Sequence, residues 1–383
     1  MGAVSVGVLP RQEIAAMRDS GVLTTAPGYR PIGDDQIQPA SIDLRLGDYA
    51  YPVDTSFLPG TGVGVMSKLH RLDPEYERFR IDLREGAALE KGRLYVIPLQ
   101  ERIVLPTQVA AFANPKSSTG RLDILTRLIA DGGSVFDQVE LGSSGALYAE
   151  VAPKSFSIVA HSGERLNQLR FRRGSASHAR LGEAEWATLL AAGQIGLDID
   201  DRSVQPEEPG KLRFTVDLQG ADAPNGVVGW RAKKHCNRVD LSRRGYPPGD
   251  YWEPIQIGSQ HALTLDPDEF YILMTREAVA VPPGLAAEMT PYDTRAGEFR
   301  VHYAGFFDPG FGWNAQSNQA NGSRGVLEVR SHEVPFLLEH GQTVGWLCYE
   351  KMSEPPDQLY GDARHSHYQG QRLKLAKQFG VDI

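Results

Sequence analysis

Two glutamates stand inside runs that otherwise read as apolar strands, Glu150 in GALYAEV and Glu328 in GVLEVRS. Burial disfavours the charged form of a carboxylate and raises its pKa, which suits a group that must take up and release a proton. The plainer reading is a strand glutamate facing solvent or, for Glu328, one paired with Arg330. KSSTGRLDI (116–124) sets Lys116, Ser117, Ser118 and Arg121 after Pro115 at a strand end. The cations suit phosphate oxygens, and the hydroxyls and turn N–H groups add neutral donors. Read alone, the segment is more simply an exposed polar turn. In YAGFFDPGFG (303–312), Asp-Pro-Gly forces a tight turn that leaves the Ala304 carbonyl and the Asp308 carboxylate where a ligand can approach. YGDARHSHYQGQRLK (360–374) holds Tyr360, Arg364, His365, His367, Gln371, Arg372 and Lys374. It suits a tail that closes over a polyphosphate, or a disordered basic terminus. PASIDLRLG (39–47) alternates as a half-buried strand, with Asp43 and Arg45 expected to pair or to bond nearby backbone.

Other chemistries are set aside by missing motifs. The H-x-E and P-C-x-x-C elements of zinc nucleobase deaminases are absent, and Cys236 and Cys348 are the only cysteines. HExxH, G-x-S-x-G, a Walker loop and a helix-opening GxGxxG are also missing. No metal ligands are expected, and the cysteine usage points to a reducing, cytoplasmic compartment. The net charge of -8 gives no global positive field for nucleic acid, so a bound phosphate needs a local site. No secretory leader or membrane-length apolar run is read, so no membrane partner is expected.

The elements that must position these residues are mostly short strands. RLYVIPL (93–99), RIVLP (102–106), ALYAEVA (146–152), SFSIVAH (155–161), EFYILM (269–274), GVLEVRS (325–331) and TVGWLCYE (343–350) are rich in β-branched or aromatic residues and bounded by turn formers. Helices are predicted at LPRQEIAAMRDSG near the start and at EAEWATLLAAGQ (183–194). The acidic, Pro-containing DIDDRSVQPEEPGK that follows reads as a linker. Residues 89–115 lie over 265–291 without a gap at a constant offset of 176. Leu89/Leu265, Tyr95/Tyr271, Glu101/Glu277, Pro106/Pro282 and the paired alanines at 110–111 and 286–287 match. Segment 145–171 resembles 325–350 in pattern. The reading is an internal duplication with two domains, 1–200 and 201–383.

PASIDLRLG, KSSTGRLDI, AGFFDPGFG, a Glu in the following strand and Y…HYQGQ stand in the order seen in the dCTP deaminase family of the dUTPase-like superfamily. The chain resembles a long, internally duplicated form of that family. The resemblance implies a mainly β fold: two tandem distorted β-barrel or jelly-roll domains with a few short helices, built into homo-oligomers. It implies hydrolytic deamination of dCTP to dUTP and ammonia without zinc, with Mg²⁺ carried by the triphosphate. A Glu serves as general base toward water attacking C4 of cytosine, and Ser and Arg from a neighbouring domain orient that water.

Carried over, Ser117, Ser118 and Arg121 fall on the family's serines and arginine, and Lys116 on the preceding basic residue. Ala130 falls on the alanine whose carbonyl faces the base, Glu150 on the catalytic glutamate, and Asp137 on the turn aspartate. The second half supplies Ala304, Asp308, Glu328, Tyr360 and Gln371. His367 stands where the family has Lys, and TPYDTRAGE offers Arg295 without a serine pair. The halves read as complementary, so a composite site is expected, with Ser117, Ser118 and Arg121 facing Ala304, Asp308 and Glu328. Two alternatives stay open: a dUTP pyrophosphatase or bifunctional enzyme, and a non-catalytic nucleotide sensor.

Overall fold

The computed structural model describes the chain apart from residues 1–4, 199, 201, 203, 221–225, 259–260, 292–298, 303–304, 332, 363–372 and 381–383, with backbone only at 291 and 299–302. The described residues are mainly β, with a few short helices. No described helix is long and apolar enough to cross a membrane. The chain forms two compact units: Met1–Ser175 with Cys236–Arg244, and Ala176–His235 with Gly245–Ile383.

In the first unit a six-stranded sheet runs Ile81–Asp82, Tyr49–Val53, Leu94–Val104, Ser144–Pro153, Ile124–Ala130, with Leu23–Thr25 added to Leu94–Val104. The strands expected at 93–99 and 102–106 are one strand, which bulges between Pro98 and Arg102 opposite Ala146 and Tyr148 of its partner. A five-stranded sheet orders Gly7–Val8, Arg165–Arg173, Val109–Pro115 and Gln138–Val139, with Ile42–Arg45 also on Arg165–Arg173. Val109–Pro115 alternates buried and half-buried positions, the period-2 signature of a strand with one face on the core. Ile42–Arg45 does not behave as the half-buried strand expected: all four residues are buried, Asp43 and Arg45 included. Their charges are tolerated there because each is paired, Asp43 with Lys116 and Arg45 with Glu101.

Segment Cys236–Arg244 returns to the first unit from late in the chain. Val239–Asp240 adds in parallel to Ile158–Ala160, with Val239 N–H donating to Ser157 O at 3.0 Å and Leu241 N–H to Val159 O at 3.0 Å. Val239 and Leu241 are buried, and Arg238 bonds Glu90 at 3.0 Å.

The second unit repeats the plan. One sheet orders Trp252–Gln256, Val227–Ala232, Phe270–Val279, Ser323–Ser331 and Phe299–His302, and another orders Pro206–Glu208, Lys211–Thr215, Thr343–Lys351, Leu285–Pro291 and Phe306–Phe307. Its core includes Leu212, Phe214, Leu273, Leu327 and Leu347. Both predicted helices form, as Arg11–Asp19 and Glu183–Ala191. The second belongs to this unit, with Trp186 packed 5.5 Å from the Tyr349 ring. The segment expected to be a linker is structural: Val204 is buried in the core and Pro206–Glu208 pairs with Lys211–Thr215. The division therefore falls after Ser175 rather than at 200, because an apolar face in the 183–204 stretch is used by the second core.

The offset of 176 recurs in hydrogen bonds. The Tyr95 hydroxyl accepts from Glu90 N–H at 2.9 Å, and the Tyr271 hydroxyl from Asp266 N–H at 2.9 Å. The Glu101 carboxylate accepts from Arg45 N–H at 2.8 Å, and the Glu277 carboxylate from Thr215 N–H at 2.8 Å.

Candidate active site

Pro115 ends its strand and the chain turns at once into a one-turn helix, Ser117–Gly120. Lys116 O accepts from Thr119 N–H at 2.8 Å and Gly120 N–H at 3.0 Å, and the Thr119 hydroxyl donates to Leu166 O at 3.0 Å. The exposed-turn alternative fails, since Ser118, Thr119 and Arg121 are all buried. The Lys116 ammonium lies against Asp43 Oδ2, so this expected phosphate contact already has a carboxylate partner. Thr119 was not singled out by sequence; a hydroxyl tying a turn to a strand 47 positions away leaves no local signature.

Ala130 closes the strand Ile124–Ala130, and its carbonyl accepts from Gly133 N–H at 3.0 Å. Asp137 is a brace in this structure. Its backbone is left-handed (φ 60°), its carboxylate accepts from Leu128 N–H at 2.7 Å, and its carbonyl accepts from Ala113 N–H at 2.9 Å.

Glu150 and Glu328 hold the same place in their sheets. Glu150 faces Val96 on one neighbouring strand and Arg127 on the other; Glu328 faces Ile272 and His302. Val96 and Ile272 are themselves 176 apart. Neither glutamate faces solvent, with exposures of 0% and 6%. Arg330 donates to Asp268 O.

The Asp308 turn and the start of the tail form one structure. Asp308 is buried, and its carbonyl accepts from Phe311 N–H at 3.0 Å. Tyr360 N–H donates to Pro309 O at 2.8 Å. Gly310 has φ +99°, and a Cβ there would lie 2.6 Å from Tyr360 N and 2.7 Å from Tyr360 O. The Phe307 and Phe311 rings meet edge to face at 4.9 Å, and the Tyr360 ring lies tilted 5.9 Å from Phe311. Arg295, Ala304, His367 and Gln371 lie outside the described residues. Among those described, the first unit gathers Lys116, Ser117, Ser118 and Arg121, and the second joins Asp308 to Tyr360. No group of three or more His, Cys, Asp or Glu among the described residues is arranged to hold a metal ion.

Two family models match the chain. Residues 5–175 match the 2'-deoxycytidine 5'-triphosphate deaminase N-terminal domain, and residues 194–379 match the C-terminal domain of the same family. A "dCTP deaminase, dUMP-forming" from Nocardioides sp. is 33% identical over 194 residues, 48% of this chain and 91% of that protein. A protein of the same description from Streptomyces coelicolor is 33% identical over 138 residues, 35% of this chain and 62% of its own length. The crystal structure of 2'-deoxycytidine 5'-triphosphate deaminase from Agrobacterium tumefaciens is 47% identical, covers 91% of this chain and 99% of that one, and superposes with a TM-score of 0.82.

Proposed function

The chain belongs to the 2'-deoxycytidine 5'-triphosphate deaminase family, and from that premise we propose that it hydrolyses dCTP to dUTP and ammonia, with Glu328 as general base. Glu328 takes a proton from the water that attacks C4 of cytosine and passes it to the amino group. That group leaves as ammonia, and C4 keeps the water oxygen. The observation that carries this reading is the buried carboxylate of Glu328 in mid-sheet, in a chain whose two halves both match deaminase models. Removing a general base costs typically 10²–10⁴-fold in rate.

In this proposal Ser117 and Arg121 orient the attacking water, while Ser118 and Arg295 meet phosphate. The Ala304 carbonyl and Asp308 face the nucleoside, and Tyr360, His367 and Gln371 close the tail over it. Mg²⁺ enters with the triphosphate as part of the substrate. The shared 176 offset between Val96 and Ile272, the sheet neighbours of Glu150 and Glu328, supports a duplicated pair of jelly-roll-like domains.

Ammonia release from dCTP is the test. Glu328→Gln is expected to lose about a thousandfold in kcat while still binding dCTP. Full activity in Glu328→Gln together with loss in Glu150→Gln would overturn the assignment. Binding of dCTP without ammonia release by the unaltered protein would instead identify a sensor. A second product deserves measurement, because the relatives named above carry the description "dUMP-forming". Pyrophosphate released in step with ammonia would place this chain with them.

A further inference from the structure

The first unit holds Glu150 at the sheet position of Glu328, yet its surroundings are filled by the chain itself. Arg127, the cross-strand neighbour, sets both Nε–H, at 2.9 Å, and Nη2–H on Glu150 Oε1. The guanidinium stands 3.8 Å over the face of Phe136, and its Nη2 also donates to the Ser56 hydroxyl at 3.0 Å. Phe136 packs on a small apolar cluster of Val65, Val96, Ile129 and Tyr148. Glu150 itself is 0% exposed, whereas the Arg127 side chain is 31% exposed. Arg127 is therefore the cover over the carboxylate. Glu150 Oε2 is buried and meets no hydrogen-bond partner among the described residues. A buried acceptor without a donor is costly and marks room for one more.

We propose that Arg127 occupies from within a nucleobase-type subsite of the first unit, which makes that unit a latent site for a small planar cation. The ligand class follows from the shapes. A carboxylate flanked by an aromatic face accepts a flat group that offers two parallel N–H donors and positive charge. Guanidinium and amidinium present that edge, and so does cytosine protonated at N3, through N3–H and the 4-amino group. The link to cytosine rests on the deaminase reading; the cation site does not. Arg127 has a mechanical part as well, since its partly exposed guanidinium lies on a carboxylate that is itself fully buried.

The test uses the full chain with Arg127→Ala, read by deuterium uptake in peptides covering 124–130 and 144–153. The substitution leaves a buried carboxylate unpaired, and uptake in both strands is expected to rise about tenfold or more. Guanidinium chloride at about 10 mM, against sodium chloride of equal ionic strength, is expected to restore most of that protection. The unaltered protein and Arg127→Ala/Glu150→Gln are expected not to respond to guanidinium. If Arg127→Ala does not fold, Arg127→Lys keeps the charge and stem but loses the fork, and carries the same comparison. Equal effects of guanidinium and sodium, or an equal response in the double variant, would sink the proposal. Because no turnover is read, failure here is distinct from failure of the deaminase reading.

Discussion

Glu101 and Glu277 occupy matched positions in two electrostatic settings. Glu101 accepts from Arg45 Nε at 2.7 Å and Gln36 Nε2 at 2.9 Å, whereas Glu277 accepts from the Thr215 hydroxyl at 2.6 Å and, among the described residues, bonds no guanidinium. Burial accordingly pushes the Glu277 carboxyl above its ordinary 4.5. A raised folded pKa means the folded state binds the proton more tightly than the unfolded state. The resulting stability is full below about pH 4.5 and is lost as pH rises through the folded value. Glu277→Gln, which keeps the shape and an acceptor, is expected to stabilise the protein by on the order of 1 kcal/mol near pH 7 and by little near pH 4. Denaturant melts at the two pH values decide it. Gly310→Ala acts at the same scale. With φ +99° and the Tyr360 backbone 2.6 Å away, it is expected to unseat the tail and raise KM for dCTP about tenfold or more, with the melting temperature falling far less. Sequence spacing singled out Glu150, Glu328 and the Asp308 turn because an apolar run around a carboxylate, or a DPG triplet, is a local signal. Arg127 was illegible, because its partner is set by strand register across 23 positions.

The one-turn helix Ser117–Gly120 has too few residues to hold itself and depends on its ties to Lys116 O and Leu166 O. Thr119→Val keeps the volume and removes the side-chain tie to Leu166 O, leaving that carbonyl its bond from Lys116 N–H at 2.8 Å. The expected result is a loss of about 1 kcal/mol in stability and a tenfold or larger fall in kcat/KM from a turn no longer held in register. Steady-state rates beside a melting curve separate the two effects. Strands were readable from their composition, as Phe270–Val279 and Thr343–Lys351 show. The helix Val65–Leu72 was not; it is short, and its first turn is fixed by a distant group, Asp131 Oδ1 accepting from Val65 N–H at 2.8 Å. The acidic stretch DIDDRSVQPEEPGK read as a linker because charge and proline hide the buried Val204.

For the whole molecule, the proposal of a homo-oligomer predicts that light scattering, with and without dCTP, gives a mass above one chain. A protein cut at 200 is a sharper probe. Residues 1–200 lack Val239–Asp240, leaving Ile158–Ala160 without its parallel neighbour. Rapid deuterium uptake is expected in that strand, slowed when a peptide of residues 236–244 is added. Protection in the cut protein equal to that of the full chain would refute this.

That late-arriving strand also bears on how the protein is made. On the ribosome the first half emerges with one sheet still waiting for a strand encoded some 60 residues after Ser175. A stretch of the second unit is therefore synthesised before the first can finish. A nascent chain paused before residue 236 would display an open edge at Ile158–Ala160, a docking place for a chaperone or for the same edge of a neighbouring nascent chain.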